Sequence, residues 1–174
     1  IGDKKVKDVP VQECDEPIVD LAQSFPDLKF DFDRQCVQKK SKTISLARKT
    51  VGEKLMQAQS LLPAGYNLLV KECHRPMWVQ KEFWDGYYSY LKNKFPNWEE
   101  QKVYEECSKL NAPLDVAPHT TGGAVDLTLC NQNGEPLDLG TKFNAEPLET
   151  ENATFTSAYN ISNEALKNRQ ILQH

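Results

Sequence analysis

The chain has 174 residues, 39% of them hydrophobic and 26% charged, and a formal net charge of −4. That balance fits a globular chain long enough for one domain with a core of its own. No apolar run approaches the length of a membrane span, and no basic stripe marks the chain for nucleic acid or an anionic bilayer.

In chain order, residues 1–40 read as irregular chain with a strand or two, carried by the short runs "PIVDLAQSF" and "LKFDF". The chain opens at Ile1 with no methionine and no signal-like segment, so a start is expected to have been removed. "RQCVQKK" with Lys42 forms a short basic cluster, read as a solvated loop or helix end. "ISLARKTVGEKLMQAQSLLP" places Leu46, Val51, Leu55, Ala58 and Leu62 near helical spacing, and Pro63-Ala64-Gly65 closes that element. "YNLLVKEC" predicts a buried strand over 66–73, and His74-Arg75-Pro76 turns the chain.

"MWVQKEFWDGYYSYLKNKF" predicts a helix with Trp84, Tyr87, Tyr88, Leu91 and Phe95 along one face. Pro96 breaks it, and "NWEEQKVYEECSKL" predicts another helix with Asn97 as its N-cap. Residues 111–123 read as a loop. "AVDLTLC" predicts a strand, "NQNG" a hairpin turn and "EPLDL" the return strand. A polar loop over 140–160 leads to a last helix, "SNEALKNRQILQH", which Ser162 can cap. Helices packed against a partly antiparallel sheet make the expected class α+β.

The chemistry concentrates in "APHTTGGAVDLTL", residues 117–129. Gly122 and Gly123 let the chain turn sharply between His119 and Asp126. By strand alternation Ala124, Asp126 and Thr128 share one face, and Val125, Leu127 and Leu129 the other. A carboxylate inside such a strand needs a partner if buried, and a metal would supply one. The competing reading is a loop histidine and an exposed aspartate.

Arg75, at a strand-to-helix junction, can hold a substrate carboxylate or an oxyanion, or it can pair structurally with Glu72 or Asp85. Cys73 and His74 are strand neighbours facing opposite sides, a poor nucleophile–base dyad. The cysteines at 14, 36, 73, 107 and 130 stand singly, with no zinc-finger spacing. A Cys14–Cys36 bridge stays open for an exported protein.

Three ordered motifs, "HRPMWVQKEFWD", "HTTGGAVDLTL" and "DLGTKFN", resemble the zinc D-alanyl-D-alanine dipeptidases, the VanX-like D,D-peptidases of M15 type. The pattern S-x-H-x-x-G-x-A-x-D overlies residues 117–126 at His119, Gly122, Ala124 and Asp126, and Arg75, Pro76, Val79, Gln80, Trp84 and Asp85 match the upstream motif. The resemblance implies an α+β fold with a small central antiparallel sheet flanked by helices, of the D,D-peptidase and hedgehog kind. It implies one zinc ion (Zn2+) held by His119, Asp126 and a second histidine, with Arg75 stabilising the oxyanion and a glutamate as base. The implied activity is hydrolysis of D-Ala-D-Ala or a related peptide of the bacterial cell-wall pathway, in cytoplasm or periplasm. The partners are then a D-amino-acid dipeptide or short wall peptide, with no nucleic acid and no membrane span.

Departures from the pattern are as informative. No E-x-W-H-type motif supplies the base and last ligand. The stretch "NRQILQH" resembles the helix preceding that motif, so His174 is not expected to be the third ligand. Residues 1–174 are expected to form a single dipeptidase-like domain lacking its C-terminal end, with the third ligand and base beyond residue 174. Where the family grips the substrate amine, Ala117 replaces serine, Asn144 replaces aspartate and Gln23 stands at the tyrosine position. An amide holds an ammonium less well than a carboxylate does, which implies a relaxed or shifted substrate, such as a longer peptide ending in D-Ala. The alternative is a non-catalytic relative that binds wall peptide or metal.

Overall fold

The computed structural model describes residues 4–10, 12–33 and 40–173. Most of the basic cluster, Cys36 and His174 lie outside the described residues; Cys14 is an exposed free thiol. The elements are α1 (Lys4–Lys7), β1 (Ile18–Asp20), α2 (Leu21–Ser24), β2 (Lys29–Phe30), β3 (Leu46–Arg48), α3 (Lys49–Leu61), β4 (Asn67–Glu72), α4 (Met77–Lys94), α5 (Glu100–Leu110), β5 (Asp126–Cys130) and α6 (Asn163–Gln173). Tight 3-10 turns form at Leu114–Val116 and Pro118–Thr121.

The expected α+β architecture stands. β4 is the middle strand of a three-stranded sheet, antiparallel to β5 and parallel to the short β2. β1 and β3 make a separate antiparallel pair. One face of the sheet is apolar because Leu68 and Val70 of β4 alternate inward beside Leu129 of β5. Leu21, Leu28, Ala47 and Leu55 close that core, with Val125, Leu127, Val51 and Leu62 against it. The predicted aromatic face of α4 is real: Trp84, Tyr87, Tyr88 and Phe95 surround buried Leu91, Val103 and Cys107, so α4 and α5 pack as a second, aromatic-rich cluster.

Gly52 marks the tightest packing of α3. A Cβ there would sit 2.2 Å from Phe25 Cε2 and 2.8 Å from Leu21 Cδ2. Alanine at a helix interior normally gains about 1 kcal/mol over glycine. Here overpacking is expected to win, and Gly52→Ala should destabilise by about 1–3 kcal/mol in urea denaturation. A stabilised variant would mean that α2 yields to α3.

Three local expectations are corrected. Leu46–Arg48 is strand, not the first turn of the helix, because it pairs with Ile18–Asp20 far away in sequence. Asn97 does not cap the next helix; Glu99 occupies the cap without a side-chain bond. Phe95 and Trp98 stack with centroids 3.9 Å apart, and the Trp98 amide donates to Phe95 O, so Asn97 is held inside a turn. "EPLDL" does not continue as a return strand: pairing is a single bridge, Cys130 to Pro136. Proline has no N–H for the ladder, and Asp138 then turns away to accept from Gly140 N at 2.7 Å. Ser162 does cap α6, its Oγ accepting from Ala165 N at 3.0 Å.

Candidate active site

The site grows from the end of β4. A bulge between Val70 and Glu72 shifts the register so that Glu72 pairs with Asp126 of β5. Bulges re-aim side chains, and this one leaves two carboxylates on neighbouring strands at one end of the β4–β5 ladder. Like charges so placed repel, so each needs a cation.

Glu72 is fully buried and takes Arg75. Arg75 Nε donates to Oε1 at 2.6 Å and Nη2 to Oε2 at 2.8 Å, a two-pronged pair. Nη1 donates to Gln80 Oε1 at 2.7 Å, and Gln80 Nε2 donates to Ala112 O at 2.7 Å. The guanidinium lies 5.0 Å from the Phe83 ring centroid. Arg75 is therefore held rigidly with its charge matched. Asp85 pairs instead with Lys81 on the exposed face of α4.

His119 sits in the 3-10 turn Pro118–Thr121, which Gly122 ends at φ 72. That left-handed conformation suits glycine. The turn is tied down from several sides: Arg75 N donates to His119 O at 3.1 Å, Arg48 N to Gly122 O at 2.9 Å, and Arg48 Nε to Thr121 O at 3.0 Å. The result is a preset imidazole. Its Nδ1 lies 2.6 Å from Cys73 O, and its Nε2 lies 3.3 Å from Asp126 Oδ1.

A carbonyl oxygen can only accept, so Nδ1 carries a proton and donates it. Nε2 then has two options. It bears a second proton and bonds Asp126, or it points a lone pair at the carboxylate and needs a cation to share. Burial by itself lowers the His119 pKa, but the hydrogen bond and charge of Asp126 and the Cys73 carbonyl outweigh it, and the net shift is upward.

The site thus brings Arg75, His119 and Asp126 together. Ala117 is buried and offers only a methyl, its carbonyl accepting from Thr120 Oγ1 at 2.8 Å. Gln23 is spent elsewhere, donating to Asp20 Oδ2 at 3.1 Å. Asn144 stands apart, exposed in a turn at φ 60, which asparagine tolerates. It lines a cavity of about 680 Å³ beside β5 that does not include His119 or Asp126. Cys73 is completely buried, and burial first, then the Glu72 and Asp126 charges, push its thiol up to about 12, so it is no nucleophile. Burial also lowers His74, which stays neutral with Nδ1 enclosed and without a hydrogen-bond partner.

Sequence reasoning gave Glu72 only as one candidate partner for Arg75. The signal was present: a charged residue inside the apolar run "NLLVKEC", the same mark that singled out Asp126 in "AVDLTL". Among the described residues no three His, Cys, Asp or Glu side chains converge as metal ligands.

An imidazole and a carboxylate therefore meet at 3.3 Å beside a buried arginine on an α+β scaffold. Residues 15–174 match the model of the D-Ala-D-Ala dipeptidase family, Peptidase M15, and the chain belongs to that family. It is 24% identical over 149 residues to a D-alanyl-D-alanine dipeptidase of Synechocystis sp. (strain ATCC 27184 / PCC 6803 / Kazusa). That match covers 76% of this chain and 60% of the relative. No described helix is long and apolar enough to cross a membrane.

Proposed function

We propose that the chain belongs to a zinc-dependent D,D-peptidase that hydrolyses D-Ala-D-Ala or a related D-amino-acid peptide of the bacterial cell-wall pathway. The observation that carries this reading is the His119 Nε2–Asp126 Oδ1 separation of 3.3 Å with Nδ1 anchored on Cys73 O. Two ligands of a tetrahedral ion with bonds of about 2.0–2.1 Å stand roughly 3.3 Å apart. Metal-ligating histidines commonly fix their other nitrogen on a backbone carbonyl, as His119 does. His119 and Asp126 therefore fit the ion and would hold it. Two donors do not complete a zinc site, and the reading requires a third ligand and a general base in addition to them.

When bound, zinc supplies Lewis acidity to the scissile carbonyl and acidifies a water. The protein's own part is position and charge. Hydrolysis adds water oxygen to the carbonyl carbon, breaks the C–N bond and delivers a proton to the leaving amine. Charge builds on the carbonyl oxygen in between. Arg75 has five N–H donors, of which Glu72 and Gln80 take three, and the remaining two can meet that oxyanion. The Glu72 and Phe83 contacts hold the fork still, so little reorganisation is needed at the moment of reaction.

The test is metal analysis of the full-length protein together with hydrolysis of D-Ala-D-Ala and N-acetyl-D-Ala-D-Ala. One zinc per chain and release of D-alanine are expected. A zinc-free protein that cleaves neither peptide overturns the reading in favour of a non-catalytic peptide-binding relative.

A further inference from the structure

Arg48, the last residue of β3, takes no part in the chemistry above, yet every nitrogen of its guanidinium is engaged. Nε donates to Thr121 O at 3.0 Å, Nη1 donates to Glu16 O, and Nη2 meets the Glu13 carboxylate at 3.0 and 3.1 Å. Its backbone N donates to Gly122 O at 2.9 Å. Two of these bonds hold the residues that end the His119 turn. The others reach a segment that lies far upstream in sequence.

That segment, residues 13–17, lies along the start of α3 as a strap. Arg48 sits at the N-cap of α3 without a side-chain cap of its own, and Glu16 supplies one from a distance. Its Oε1 accepts from Thr50 N and its Oε2 from Thr50 Oγ1 at 2.9 Å. A carboxylate there satisfies an orphan amide and suits the positive end of the helix. Lys49 N donates to Pro17 O at 3.2 Å. The strap thus grips residues 48–50, and of these Arg48 continues to the turn. The turn is also packed from this side, since a Cβ on Gly122 would lie 3.2 Å from Ile18 Cδ1. β3 borders the other half of the site as well, where Leu46 O accepts from His74 N at 2.9 Å.

We propose that Arg48 is a positioning residue: seated by the strap, it fixes the His119 turn so that the imidazole stands where it can share an ion with Asp126. This rests on the peptidase reading above and extends the site to a residue that touches neither metal nor substrate. Charge and position predict opposite signs here. A cation near a metal site repels the metal, so losing the Arg48 charge would tighten zinc binding if charge alone mattered. Losing a support for the turn weakens it.

The test compares the full-length protein with Arg48→Met, which keeps the stem, and Arg48→Lys, which keeps the charge but not the planar fork. Zinc Kd is read by competition with a chromophoric chelator. In the metal-free protein, solvent exchange of the His119 Nδ1 proton held on Cys73 O is read by NMR. Losing a group that supports a ligand directly costs about 10–100-fold in metal affinity; Arg48 acts through the turn, so Arg48→Met is expected to raise Kd about three- to tenfold and to speed the exchange about as much. Arg48→Lys is expected to raise both about two- to threefold, and it decides alone if Arg48→Met does not fold. A lower thermal midpoint with Kd and exchange unchanged overturns the proposal, as does tighter zinc binding in Arg48→Met. If the unaltered protein binds no zinc, the peptidase reading fails and the exchange rate decides this inference. If it binds zinc with the same Kd in all three forms, this inference fails and the peptidase stands.

Discussion

Arg75→Met is expected to destabilise the protein by about 3–5 kcal/mol, because it strands a buried carboxylate without its cation. Glu72 has no solvent exposure, and both its oxygens accept from Arg75. At this chain length each kcal/mol corresponds to roughly 2–4 °C in thermal midpoint, so a loss of order 10 °C is the readout. The double change Glu72→Leu with Arg75→Met should recover much of the loss, since apolar replacement of a whole buried pair is often near neutral. If Arg75→Met alone moves the midpoint by no more than a degree or two, Glu72 is not a buried anion. Arg75→Lys separates stability from chemistry. Lysine keeps the charge but lacks the planar fork, so the protein should fold while kcat falls by about 10²–10³.

Of the two sequence readings of Arg75, the structure bears out the ion pair with Glu72; the oxyanion role belongs to the proposed function. Under the proposed function the guanidinium would have to be fixed to meet a developing anion, and fixing it in a buried place requires a buried acid. The structural ion pair with Glu72 is the means by which Arg75 is positioned beside His119, whose carbonyl accepts the Arg75 amide at 3.1 Å.

What was legible in the sequence was local. The periodicity of "MWVQKEFWDGYYSYLKNKF" reports its own burial, and the alternation of "AVDLTLC" sorted Asp126 and Thr128 from Val125, Leu127 and Leu129 correctly. What was not legible depends on distant partners. Leu46–Arg48 carries a helix-like pattern, yet its backbone is taken by Ile18–Asp20. The Val70–Glu72 bulge, which decides that Glu72 faces Asp126, leaves no mark on composition.

Asp126→Asn is the sharpest test of the cation-sharing pair. In a purely structural pair, His119 is protonated and donates to Asp126, and zinc makes no difference to stability. In a metal site, zinc binds the folded state only and adds RT ln(1 + [Zn]/Kd), about 4 kcal/mol at a thousandfold excess over Kd. Removing zinc from the full-length protein with a chelator should then lower its thermal midpoint by roughly 8–16 °C. Asparagine keeps the shape of Asp126 but loses the charge, and its neutral oxygen is a poorer ligand. The variant's midpoint should therefore hardly respond to chelator, and its zinc affinity should fall at least about a hundredfold, beyond the usual cost of losing a supporting hydrogen bond. A wild-type protein indifferent to chelator, with Asp126→Asn merely somewhat less stable, would reduce the pair to an ion bridge. His119→Ala distinguishes the cases again. It too removes the chelator response if the metal is real, and it also frees Cys73 O, so its metal-free form should be less stable than that of Asp126→Asn by about 1–3 kcal/mol.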